Sequence, residues 1–206
     1  MAALTDFQFF FCPAMYCHAD HLHALPYYSH LAALPDKYRD PVLNTLLFEH
    51  YSLSENMAEL KGLQRVILFD DAELRRFLTI LGCCFYLNDL MICWPDPARR
   101  QPFSVLTPAD AALLLRWRPG LLRPLREYQH SLTDTKQDDL ILSTTGYRLW
   151  LFLIQDCHVQ FRRRAELRFP QTSIPASFPA ELTSFFKILC QTISQVLTPS
   201  VCPSAG

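Results

Sequence analysis

Glycine is scarce in this chain of 206 residues: there are five, at positions 62, 82, 120, 146 and 206. So widely spaced, they cannot form a GxGxxG turn, a GxxxxGK phosphate loop or a GxSxG elbow, each of which needs two glycines within a few residues. Nucleotide-dependent catalysis by those routes is excluded, while other enzyme architectures are not. An excess of either charge is lacking too. Nineteen Lys and Arg against 20 Asp and Glu leave a net charge of -1, which gives no global field to gather nucleic acid or an anionic membrane. Long apolar runs are also missing. The two most apolar stretches, residues 77–87 and 149–155, fall well short of the roughly 18 to 20 residues that span a bilayer. The opening MAALTDFQFFF has no positive n-region and is interrupted by Asp6, so no secretory signal is expected. A soluble chain follows.

Cysteine is plentiful, with eight residues, but a chain of this length can bury roughly 70% of its unfolded surface and needs no disulfide staples. Cys83 and Cys84 are adjacent in an apolar stretch, and Cys93 and Cys190 also lie on apolar faces, where a thiol acts as a small hydrophobe. A reducing cytosol is the expected compartment.

The pattern of apolar residues predicts a mainly α, single globular domain over 1–206 with a small β element. Phe7, Phe9 and Phe11 alternate as in a strand, and so do Phe161, Arg163, Ala165, Leu167 and Phe169. These two segments, 7–11 and 160–169, are expected to pair, since each would otherwise leave backbone groups unmatched. A further short strand is expected over 63–69. Prolines at 13, 26 and 41 mark short helices in the first quarter. Leu74, Phe77, Leu78, Leu81 and Phe85 form a clear helical stripe, in which Gly82 permits close approach of a neighbour. Pro119-Gly120 should break the helix that begins after Thr107. A second apolar helix covers LILSTTGYRLWLFLI from Leu140 to Ile154. A short linker over 170–178 should precede an amphipathic helix over 179–197, with Leu182, Phe185, Phe186, Leu189, Ile193, Val196 and Leu197 on its apolar side.

Three groups of residues could carry chemistry. Cys12, Cys17, His18, His21 and His23 are zinc-type ligands, but their spacing matches no common zinc module and there is no paired CxxC. Cys157 beside His158 and Asp156 invites a nucleophile reading, yet neighbouring residues point apart, whereas a thiol and its base must come within about 3 Å. A cysteine/histidine-dependent enzyme and a small metal-binding module are therefore the alternatives to a protein with no catalytic, cofactor or metal residues. The third group is basic: Arg162, Arg163, Arg164 and Arg168, and Arg116, Arg118, Arg123 and Arg126. Without a groove-reading motif or net positive charge these do not suggest nucleic acid. A solvated face or an acidic protein partner is the reading, since guanidinium binds carboxylates bidentately. Arg162 and Arg164, on the polar face of the expected strand, are the candidate partner-binding residues.

Several motifs together carry a resemblance. FQFFFCPAMYCH at the N-terminus, the helix Leu78 to Gly82, Gly146-Tyr147-Arg148-Leu149-Trp150 and Arg164-Ala165-Glu166-Leu167-Arg168-Phe169-Pro170 resemble, in order and over nearly the whole chain, the type III secretion K-subunit (YscK or SctK) family. Phe169 stands where the family pattern has an aliphatic residue. The resemblance implies a non-enzymatic cytoplasmic adaptor of the injectisome sorting platform, without cofactors. Its implied partners are the cytoplasmic domain of the inner-membrane ring protein (D subunit) and the Q subunit, with the L subunit and ATPase reached indirectly. Contact with the inner membrane would come only through those partners.

Overall fold

A computed structural model describes residues 2–128, 141–171 and 182–197. The described residues form helices α1 (Asp6–Phe11), α2 (Ala19–His23), α3 (Tyr28–Leu31), α4 (Asp36–His50), α5 (Asp71–Cys83), α6 (Leu87–Cys93), α7 (Pro108–Leu125), α8 (Ile141–Leu153), α9 (Val159–Leu167) and α10 (Thr183–Leu197). They fall into two compact units. One comprises Met1–Asp71 and Ile154–Pro175, the other Ala72–Leu153 and Ala176–Gly206. The expected linker lies, from residue 172 onward, outside the described residues. No single helix among them is long and apolar enough to cross a membrane.

There is no strand among the described residues, which corrects the expected β element. Segment 7–11 is α1. Thr5 accepts a hydrogen bond from the Gln8 amide while the Gln8 side chain accepts from the Thr5 amide, a reciprocal cap that starts a helix. Its buried residues are Phe9 and Phe10, consecutive rather than alternate. Segment 160–169 is mostly α9, opened by His158, whose ring accepts from the Gln160 amide. Phe161, Arg164, Ala165 and Arg168 are buried, the i, i+3, i+4, i+7 set of a helix face. The two segments do meet, but as helices. The Phe9 and Phe161 rings lie 5.8 Å apart. Residues 62–68 form a 3-10 helix instead of the expected third strand.

The first unit is built on short helices around Phe9, Tyr16 and Phe161. Tyr16 stacks on Phe9 at 5.6 Å and donates its hydroxyl to the Phe9 carbonyl at 2.8 Å. Leu25, Leu43 and Leu47 add a second apolar cluster, joining the segment before α3 to α4.

The second unit turns on a helix crossing. A Cβ placed on Gly82 in α5 would stand 1.9 Å from the Leu142 carbonyl oxygen. One placed on Gly146 in α8 would stand 1.9 Å from that of Leu78. The two backbones therefore touch, and only glycine fits at either position. Around the crossing α5 is buried on all sides from Phe77 to Cys83. Burial pushes the thiols of Cys83, Cys84 and Cys190 up, Cys84 to about 12, so these groups are packing and not reactive. α10 buries Phe186, Leu189, Cys190, Ile193 and Leu197, close to the expected stripe.

α7 runs unbroken through Pro119 and Gly120, contrary to the expected break. Both residues are exposed, so the lost amide donor of proline sits at the surface and not in the core. The helix begins with Thr107 and Asp110 capping each other. Asp110, 1% exposed, also receives a bidentate pair of hydrogen bonds from Arg76, at 2.8 and 2.7 Å, with Arg76 33% exposed. Burial raises the Asp110 pKa, but the donors from Arg76 and Thr107 outweigh it and hold the carboxyl below its ordinary value.

Two outcomes are expected. Gly82→Ala and Gly146→Ala should each destabilise the protein by about 2 kcal/mol or more, because overpacking costs about 3 kcal/mol and helix propensity returns only about 1 kcal/mol. Gly120→Ala, whose Cβ would meet nothing within 4 Å, should be neutral or stabilising by up to about 1 kcal/mol. Urea denaturation followed by circular dichroism measures all three. Asp110→Ala should cost about 3 kcal/mol by stranding Arg76. Since the native pKa of Asp110 is lowered, its contribution should be complete above the unfolded carboxylate range and fade as pH falls through the native value, which acid titration of stability reads out.

Candidate functional site

The zinc-type residues near the N-terminus serve as structural hydrogen-bonding groups. His18 caps α2 by accepting from the Asp20 amide at 3.2 Å. His21 is 6% exposed, with its Nε2 3.0 Å from the Phe169 carbonyl oxygen and its Nδ1 3.0 Å from the Tyr51 hydroxyl. A carbonyl can only accept, so Nε2 carries the proton and Nδ1 accepts from Tyr51. His23 packs edge-on against Tyr28. Burial lowers the His21 pKa, with carbonyl contacts opposing it in part. Among the described residues no three or more His, Cys, Asp or Glu side chains converge as a metal would require.

The corner at Cys157 and His158 is likewise occupied by local bonds. The Gln64 amide donates to the Cys157 sulfur at 3.3 Å, while the Nδ1 of His158 is committed to the Gln160 amide at 3.2 Å. The two side chains serve different neighbours, as expected for adjacent residues.

The arginine row is the feature with organised geometry. Three of its four members reach backbone carbonyls. Arg164 is 0% exposed. Its Nε donates to the Phe10 carbonyl at 3.3 Å, its Nη1 to the Gln160 carbonyl and side-chain oxygen at 3.2 Å each, and its Nη2 to the Ser54 carbonyl. The guanidinium also lies 5.5 Å from the ring centres of both Phe10 and Phe48. Arg168 donates to the carbonyls of Ile67 and Phe69 and to Asp71, the last at 3.0 Å. Arg163 reaches the carbonyls of Tyr51 and Ser52 at 3.3 and 3.1 Å. Gln160 joins them, accepting from the Ser54 amide at 2.8 Å and donating to the Ser52 carbonyl at 3.1 Å.

Together these side chains fix the loop from Tyr51 to Ser54 and the turn from Ile67 to Asp71 against α9. Ser52 holds a left-handed φ of 48°, a conformation that costs a non-glycine residue free energy and persists only when its surroundings impose it. Burial lowers the pKa of Arg164 and of Arg168; the surrounding oxygens take up all three nitrogens of Arg164, and both terminal nitrogens of Arg168, whose Nε has no partner. Gln160 is invisible to patterning, its one signal being its place one helical turn before Arg164.

Arg164 was expected on an exposed polar face, beside Arg162. It is interior instead, because the helical period turns it inward. Arg162 is half-buried, and its Nε has no hydrogen-bond partner.

Arg164→Ala should therefore destabilise by about 3 kcal/mol or more, since it strands two buried carbonyls at about 1–3 kcal/mol each. Arg162→Ala should cost under about 1 kcal/mol. Chemical unfolding of both variants separates interior from surface arginine. Because the native pKa of His21 is lowered, stability should be flat above about pH 6.5 and fall below it, where the unfolded chain takes up the proton first. His21→Gln should remove that pH dependence.

The chain's relatives agree in length as well as in sequence. The family profile described as "YOP proteins translocation protein K (YscK)" matches residues 3–204. Yop proteins translocation protein K of Yersinia pseudotuberculosis is 25% identical over 204 residues, covering 98% of this chain and 96% of its own. The Yersinia enterocolitica protein of the same name matches equally. The solved cytoplasmic domain of the T3SS sorting platform protein PscK from P. aeruginosa is 26% identical, with a TM-score of 0.62, covering 96% of this chain and 97% of that one. The chain belongs to the YscK family.

Proposed function

We propose that this protein is a non-enzymatic adaptor of the type III secretion sorting platform, joining the cytoplasmic domain of the inner-membrane ring protein to the Q-subunit pods. Through the pods it reaches the L subunit and the ATPase. The observation that carries the reading is the family match over residues 3–204, at nearly full length on both sides. Similarity over 97% of a chain described as a sorting platform protein's cytoplasmic domain supports a cytoplasmic place, and attachment to the ring protein would set it at the inner face of the membrane.

The chemistry of the chain favours an adaptor over an enzyme. His21, His158 and Cys157, the groups a catalyst would use, each hold a neighbouring backbone or side chain. In place of a reactive cleft the chain offers arginine surface suited to carboxylates. In the first unit that contact narrows to half-buried Arg162, the member of the row that reaches no carbonyl among the described residues, while Arg164 acts beneath it by holding α9.

Co-purification of the full-length protein with the ring protein's cytoplasmic domain and with the Q subunit should recover a stoichiometric complex with each. Recovery of neither would defeat the adaptor reading. Arg162→Glu should weaken one of these complexes about tenfold while the circular dichroism spectrum stays that of the parent. Undiminished binding would remove Arg162 from the interface.

A further inference from the structure

The exposed side of α7 carries Arg116 and Arg123, and Arg126 continues it in helical geometry just past the helix end. At 100° per residue these three lie within about 80° of arc. Arg116 and Arg123 stand about 10 Å apart along the axis, with Arg126 about 4.5 Å further on. Of the residues between them whose side chains are described, Pro119 and Gly120 are the exposed ones, and a Cβ on Gly120 would meet nothing within 4 Å. Another backbone can therefore come close to the helix between the guanidinium groups.

None of the three arginines forms an ion pair with another described residue, and Glu127 is the one carboxylate in the turn Arg126–Tyr128 that follows the helix. Arg123 and Arg126, one turn apart, repel each other, which destabilises a free helix. All three are arginine and none is lysine. Arginine is enriched and lysine depleted at protein interfaces, and its planar fork grips a carboxylate with two hydrogen bonds.

We infer that this face of α7 is a docking surface for an acidic protein segment presenting carboxylates about 10 Å apart, distinct from the contact at Arg162. The inference rests on the adaptor reading only in taking the occupant to be a protein. It gives the second unit a binding surface of its own, as the first has at Arg162.

The test uses the full-length protein and a synthetic helical peptide with glutamates at positions one, eight and eleven of its face. A peptide of the same composition in scrambled order is the control, and vesicles rich in phosphatidylserine form a third arm. The designed peptide should bind, and binding should weaken as salt rises. Arg116→Glu with Arg123→Glu should reduce affinity about tenfold or more at an unchanged unfolding midpoint. Arg118→Glu, about 160° round the helix from Arg116 and about 140° from Arg123, should leave it unchanged. Equal binding of the scrambled peptide, indifference to the double reversal, or binding of vesicles but not of the peptide would each overturn the proposal. So would a large gain in affinity when Asp134, Asp138 and Asp139 are changed to Asn, since that would make the chain's own acidic residues the occupant. These outcomes are independent of the co-purification experiment, so the docking surface and the adaptor reading can fail separately.

Discussion

A guanidinium cannot be left bare in a protein interior, and in the first unit that requirement shapes everything around α9. Arg164 has five N–H donors and no carboxylate to meet them, so carbonyl oxygens must be brought to it from three directions: from the end of α1, from its own helix and from the loop after α4. The backbone is held in place by its oxygens. A loop clamped this way can tolerate a left-handed serine at position 52 and needs few apolar contacts of its own. The interior thus gains connections at the cost of desolvating one cation, and removing that cation would release α1, α9 and the loop together.

The same helix divides its arginines by direction. Arg163, Arg164 and Arg168 reach backbone carbonyls and serve the fold, and half-buried Arg162 is the one member of the row that reaches none among the described residues. The histidines and the cysteine that might have made a reactive centre are spent on caps, a buried bridge and a sulfur contact. This is coherent with the adaptor role proposed above, in which stable surfaces at fixed places are what the protein contributes.

How much of this could be seen in the sequence differs from element to element. The close approach at Gly82 was legible, because a glycine inside a strongly apolar helix has few other reasons to be there, whereas Gly146 entered only as part of a motif and its contact with Leu78 came from the structure. The α10 stripe was legible because most of its apolar residues follow one helical period, although Val196 stands exposed and Cys190 joins the buried face. α9 was misread for a specific reason: Phe161, Ala165 and Phe169 are four apart, a spacing common to the helical and the strand period, and the arginines between them were taken to face water. Arg164 breaks the rule that charge lies outside because its partners are main-chain oxygens contributed by a loop some 110 residues away, which leave no mark in the pattern of side chains. The family resemblance was available where the fold was not, since short motifs in a fixed order survive even when their secondary structure is misassigned.

The crossing of α5 and α8 has a mechanical side. Where helices pack through long side chains, a load along one of them is absorbed as rotamers shift and the interface creeps. At Gly82 and Gly146 there are no side chains to yield, and each helix rests with its glycine against a carbonyl of the other. Such a joint resists sliding and rotation alike. A load on α5 near the crossing therefore meets α8 backbone to backbone, with no side chain between them to give way.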